Sequence, residues 1–80
     1  MNKQDIFTLI SSHFGIEIDE IDMDSEFVED FNCNHTDMVE LKLILEDLIK
    51  TKVDKEEFEE IESVDDLFAL LENYNTLDEL

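Results

Sequence analysis

Asn34-His35-Thr36-Asp37-Met38-Val39-Glu40-Leu41, approached through Phe31-Asn32-Cys33, is the point in this chain where a loop gives way to its most apolar helix. An Asn side chain can accept the orphan N–H groups of a first helical turn, and an acid three residues later adds negative charge at the positive end of the helix dipole. Asn34 and Asp37 have that spacing, so a helix is expected to start at His35. Beyond it Met38, Leu41, Leu45, Leu48 and Ile49 fall within one arc at about 100° per residue, the mark of a helix with a buried face. Val39 and Leu43 fall on the other side, among Glu40, Glu46, Asp47 and Lys50. Two apolar side chains are thereby aimed at water inside an acidic ring, as on a partner-binding surface.

The other elements follow from the same period. Residues 3–14 place Ile6, Phe7, Leu9, Ile10 and Phe14 on one broad arc, with the chain's single glycine, Gly15, at the left-handed position that ends a helix. His13 lies within that arc and is expected to be a partly buried histidine without a ligand role. Residues 16–34 form a long connection. Ile16-Glu17-Ile18 alternates like a strand, but no partner strand or hairpin turn accompanies it. An ordered loop pinned by Ile16, Ile18, Ile21, Met23, Phe27, Val28 and Phe31 is the expectation. Helix two should run to about Lys50. Between Asp54 and Glu62, Val53, Phe58 and Ile61 suggest one or two further turns. Ser63 and Asp66 have capping-box spacing ahead of a last helix over 64–74, where Val64, Leu67, Phe68, Leu70, Leu71 and Tyr74 share an arc. Three main helices and a minor one, an all-α bundle in a single domain of residues 1–74, is the simplest fold. Residues 75–80 carry no packing pattern and are expected to fray.

The order of these segments and the motif Phe27-Val28-Glu29-Asp30-Phe31 followed by Asn34-His35-Thr36-Asp37-Met38-Val39-Glu40-Leu41 resemble the acyl carrier protein family, whose pattern reads F-x-E-D-L-G-A-D-S-L-D-x-V-E-L. The resemblance runs from about residue 1 to Tyr74 and implies a small four-helix bundle with a long acidic loop between helices one and two. In that family the Ser of D-S-L carries 4′-phosphopantetheine. By the resemblance His35 occupies that position, Asn34 replaces the Asp, Thr36 the Leu, and Asn32-Cys33 the Gly-Ala pair. Imidazole has no hydroxyl with which to form the phosphodiester, so no prosthetic group is expected here. The resemblance also implies partner contacts through Thr36, Asp37, Val39, Glu40, Leu43 and Asp47, with a fatty acid or polyketide synthesis enzyme among the candidate partners. The expected function is an unloaded, acidic interaction module. Two alternatives stand beside it: a working acyl or aminoacyl carrier, attached at Thr36 or derived from a chain with serine in place of His35, and an acidic nucleic-acid mimic.

Charge narrows the partners. Against 24 Asp and Glu stand five Lys and no Arg, a formal net charge of −19. Such a chain repels the phosphates of nucleic acids and anionic lipids, so a basic protein surface is the expected partner. Weak binding of divalent cations by the clustered carboxylates is also expected. A specific calcium site is not: Asp22, Asp24 and Glu26 alternate as in an EF-hand, but Phe27 stands where the turn glycine belongs and Cys33 where the bidentate Glu belongs. Cys33 and His35 lie beside Asp30 and Asp37, yet one Cys and one nearby His fall short of a structural zinc set. Helix dipole and carboxylates push a thiol in opposite directions, so Cys33 and His35 are expected to be inert surface residues and the chain not an enzyme. With no stretch of about 18 apolar residues and no basic-then-apolar leader, a monomeric cytoplasmic protein is the default expectation.

Overall fold

The computed structural model describes residues 2–74; the fraying expected for 75–80 lies outside them. Among the described residues the chain forms α1 (Lys3–Phe14), a 3-10 turn (Ile18–Glu20), α2 (His35–Ile49), α3 (Lys55–Glu59) and α4 (Val64–Asn73), an all-α bundle of four helices. The three long helices start by one device. In each, the residue before the helix accepts an N–H from the third helical residue, whose carboxylate accepts the cap's own N–H in return. The pairs are Asn2 with Asp5, Asn34 with Asp37, and Ser63 with Asp66. Each box satisfies two backbone donors that would otherwise lack partners. In α3, Asp54 accepts from Glu56 N and Glu57 N at 2.8 and 3.1 Å.

The C-terminal ends differ. Gly15 ends α1 at φ 67° with its N–H on the Ser11 carbonyl. Lys50 ends α2 at φ 57°, a left-handed conformation that a side chain resists.

The core is drawn from every segment. Ile6 and Ile10 come from α1, Leu41 and Leu45 from α2, Phe58 from α3, and Val64, Leu67, Phe68, Leu70 and Leu71 from α4. The long connection adds Ile21, Phe27 and Cys33, and Val53 enters from the α2–α3 linker. Phe27 anchors the loop: its ring meets Phe31 edge-on at 5.7 Å and Phe14 at 6.2 Å, while Phe14 and Phe31 stack at 6.0 Å. Backbone bonds lace the same loop to the head of α4. Phe27 N–H donates to Glu62 O, Val64 N–H to Ser25 O and Asp65 N–H to Met23 O, at 2.9 to 3.0 Å. An ordered loop is what forms, with a 3-10 turn in place of any strand at Ile18. Only one isolated bridge, Glu26 with Ser63, occurs among the described residues.

Four expectations need correction. Val28 does not pin the loop; it is 64% exposed, because Phe27 beside it takes the inward direction. Leu48 is 50% exposed, lying about 60° around the helix from Leu45 and so at the edge of the buried stripe. Glu46 does not stand on the water-facing side. Its Oε2 accepts from Lys42 Nζ at 3.0 Å and from Val53 N at 2.7 Å, tying α2 to the following linker. Cys33 is not a surface residue but belongs to the core.

Candidate functional site at the entrance of α2

The turn before α2 determines what reaches solvent at its first residues. Asn32 takes φ 58°, a left-handed conformation that Asn tolerates better than most residues. This turns the chain so that Cys33 enters the core, its N–H bonded to the Phe27 carbonyl at 2.9 Å. Asn34 then caps the helix: Asp37 N–H reaches Asn34 Oδ1 at 2.8 Å, and Asn34 N–H reaches Asp37 Oδ2 at 3.1 Å. With both capping side chains engaged, His35 and Thr36 are the first two helical residues, and both are exposed. From α1, His13 Nε2 lies 3.4 Å from the Asp37 carbonyl oxygen, and its ring packs edge-on against Phe14 at 4.7 Å. His13 is thus a half-buried brace between the end of α1 and the start of α2.

Burial pushes the Cys33 thiol up to about 11, with the Asp37 carboxylate adding to the shift. A thiol held protonated in this way is a poor nucleophile at neutral pH. Glu46 is moved the other way. The Val53 N–H chiefly, and then Lys42, hold its carboxyl below the ordinary value. Among the described residues no three His, Cys, Asp or Glu side chains come together in a metal-holding group.

Along α2, Val39 is 38% and Leu43 56% exposed, with Thr36, Glu40 and Asp47 exposed beside them. Five of the six partner-contact candidates therefore reach solvent on one side of the helix; Asp37 is half-buried and engaged in the cap. Next to them opens a cleft of about 330 Å³ between α2, α3 and the loop. Val28, Val39, Met38, Phe58 and Ile61 give it an apolar lining, with His35 and Lys42 on one side and Lys55 on the other. Val28, Lys42 and Lys55 went unnoticed as possible site residues in the sequence. Val28 stands in a segment with no period to say which way it faces, and the two lysines come to line one cleft only in the folded chain.

The geometry defines a small helical bundle that leaves the capped start of one helix, with two bare apolar side chains and an acidic margin, open to solvent. No family model matches the chain. Among curated proteins it is 31% identical over 70 residues to the acyl carrier protein of Akkermansia muciniphila, spanning 88% of each chain. It is 37% identical over 71 residues to that of Borrelia garinii subsp. bavariensis, 84% of this chain and 89% of that one. A third acyl carrier protein, from Helicobacter hepaticus, is 29% identical over 69 residues, 86% of this chain and 91% of that one. The chain belongs to the acyl carrier protein family. No helix among the described residues is long and apolar enough to cross a membrane.

Proposed function

We propose that this chain is an acyl-carrier-type docking module that is not loaded with 4′-phosphopantetheine at the start of α2. The group is joined to its carriers through a phosphodiester to an alcohol oxygen, and the residues present do not fit that chemistry. His35, at the first helical position, offers only ring nitrogens. Thr36 has a hydroxyl, but it lies one residue on and about 100° around the helix. Ser25 is 7% exposed, and its Oγ is engaged by the Asp22 N–H at 3.1 Å and lies 3.3 Å from Asp22 Oδ1. The observation that carries the reading is the imidazole at the exposed head of a correctly capped α2. Asn32 supports the register, since it adopts the left-handed conformation at the place where the family's pattern has glycine.

Such a module would act by contact. Val39 and Leu43 would supply apolar area, while Glu40 and Asp47 would attract and orient a basic groove on a synthesis enzyme. Long-range attraction from a charge of −19 speeds encounter, and the apolar pair governs how long the complex lasts. Incubation with coenzyme A and a promiscuous phosphopantetheinyl transferase, followed by intact mass measurement, tests the missing attachment. The unaltered chain should gain no mass and His35→Ser should gain one phosphopantetheinyl group. A gain on the unaltered chain that disappears in Thr36→Val would overturn the reading and assign attachment to Thr36.

A further inference from the structure

We infer that the docking face of α2 is bipolar and fits a protein partner whose groove is basic along Glu40 and Asp47 and turns acidic beyond them, opposite Lys50 and Lys52; this narrows the partner of the docking reading above and rests on it. The formal charge of −19 is unevenly spread. Four of the five lysines fall within residues 42–55, where the acids are Glu46, Asp47 and Asp54, so this segment carries +1 and the remainder of the chain −20.

The fold sharpens the imbalance. Glu46 has its carboxylate engaged by Lys42 Nζ and the Val53 N–H, and Asp54 caps α3 by accepting from Glu56 N and Glu57 N. Lys42 and Lys55 have Glu46 and Glu59 at 3.0 and 4.0 Å. Lys50 and Lys52 are exposed and form no ion pair among the described residues. Together with Leu43 and Asp47 they line a second cleft, of about 350 Å³, at the C-terminal end of α2. Residues seven apart share a side of a helix, which puts Lys50 two turns beyond Leu43 on the docking face. Lys50 is also the cap of α2, at a φ of 57° that a residue without a Cβ adopts at lower cost.

Glu40 and Lys50 stand about 15 Å apart along the helix axis, at 1.5 Å of rise per residue. That exceeds the screening length of about 8 Å at physiological salt, so each end of the face is felt separately by the groups opposite it. A groove basic along the whole of α2 would set cations against Lys50 and Lys52, and like charges juxtaposed across an interface cost affinity. A groove that turns acidic there is matched at both ends and seats α2 in one direction only.

The probes are two synthetic helical peptides with the same row of leucines. One is flanked by lysine and arginine throughout, the other by lysine and arginine in one half and by glutamate in the other. Affinities are measured by titration calorimetry at about 0.15 M salt, and the quantity read is the ratio of the bipolar peptide's affinity to the basic peptide's. Lys50→Glu and Lys52→Glu should each lower that ratio about tenfold, since an exposed opposite-charge contact is lost in one complex and gained in the other. Thr8→Glu combined with Ser12→Glu makes the same change in net charge at two exposed positions of α1 and should leave the ratio within about twofold, because charges that far from the groove are screened. An unchanged ratio in both lysine variants, or an equal fall in the α1 variant, overturns the bipolar reading and leaves docking through Val39 and Leu43 in place. Self-association of the unaltered chain in sedimentation, abolished by Lys50→Glu, would assign the lysines to the acids of a second copy and overturn it as well. If neither peptide binds, or Val39→Asp and Leu43→Asp leave both bound, the docking reading itself fails and this inference with it.

Discussion

Helices α2 and α4 begin in the same way and put their apolar residues to different uses. Both open with a capping box, Asn34 with Asp37 and Ser63 with Asp66. Thereafter α4 buries Val64, Leu67, Phe68, Leu70 and Leu71 within 10 residues, whereas the 15 residues of α2 fully bury only Leu41 and Leu45 and leave Val39, Leu43 and Leu48 in water. A residue that is apolar and exposed contributes little to folding, so α4 gives its apolar area to the fold, whereas α2 leaves part of its own in solvent, as the proposed docking requires. Propensity and capping alone would not distinguish them; the allocation of apolar area does.

Truncation in α4 tests that division with the largest effect. Leu71→Ala removes a side chain that is 1% exposed, and a buried Leu→Ala change costs about 2–5 kcal/mol of folding stability. For a chain of 80 residues that is a large share of the total. A midpoint in urea barely altered by Leu71→Ala would show that α4 is not the scaffold.

Next in size are the caps. Asn34→Ala and Ser63→Ala should each cost about 1 kcal/mol, since an N-cap side chain typically contributes that much. The comparison sharpens in the consequences. Losing the Asn34 cap frays the turn that displays His35 and Thr36 and should weaken docking as well as folding, while losing the Ser63 cap should weaken folding alone. Equal loss of partner binding in both variants would mean that docking follows global stability and not the entrance of α2.

Both caps were legible in the sequence because their partners lie three residues apart, and the arcs of α1 and α4 were legible because every apolar position on them is local. What the sequence hid depends on elements that meet across the fold. Glu46 reads as a member of an acidic ring until the linker brings Val53 N–H to within 2.7 Å of it. Phe27 and Val28 are equally apolar neighbours in an aperiodic loop, and only the cage of Phe14 and Phe31 selects which one turns inward. The cleft beside His35 needs α2, α3 and the loop together.

A gain is expected at Lys50, where α2 ends in a left-handed conformation at φ 57°. Lys50→Gly should stabilise by about 0.5–1 kcal/mol, because glycine adopts positive φ without the steric cost borne by a Cβ. Gly15 already does so at the end of α1, and the same substitution in mid-helix would have the opposite sign. No rise in thermal midpoint would mean that the Lys50 side chain makes up for its backbone strain elsewhere, which would bring the C-terminal end of α2 into the functional surface.

Acid should expose a further asymmetry. Since the Glu46 carboxyl is held below its ordinary value of 4.5, its contribution is fully present above that pH and is lost as pH falls through the lowered folded value. Glu46→Gln should therefore show a shallower loss of stability on acidification below about pH 4.5 than the unaltered chain, read from urea midpoints at each pH. Identical slopes would remove Glu46 as the tie between α2 and the linker.

The smallest effect on folding should belong to Leu43→Ala, and it bears most directly on the difference between the two helices. At 56% exposure Leu43 has little burial to lose, and alanine is the best helix former, so stability should change by less than about 0.5 kcal/mol. Binding should respond very differently, because an apolar side chain at the centre of a charged face is where truncation costs most in an interface. A variant that folds like the original and docks worse would show apolar area kept on α2 for use by a partner. A variant that loses stability in the way Leu71→Ala does would make α2 a second scaffold helix, and the outward pair no more than an irregularity of its surface.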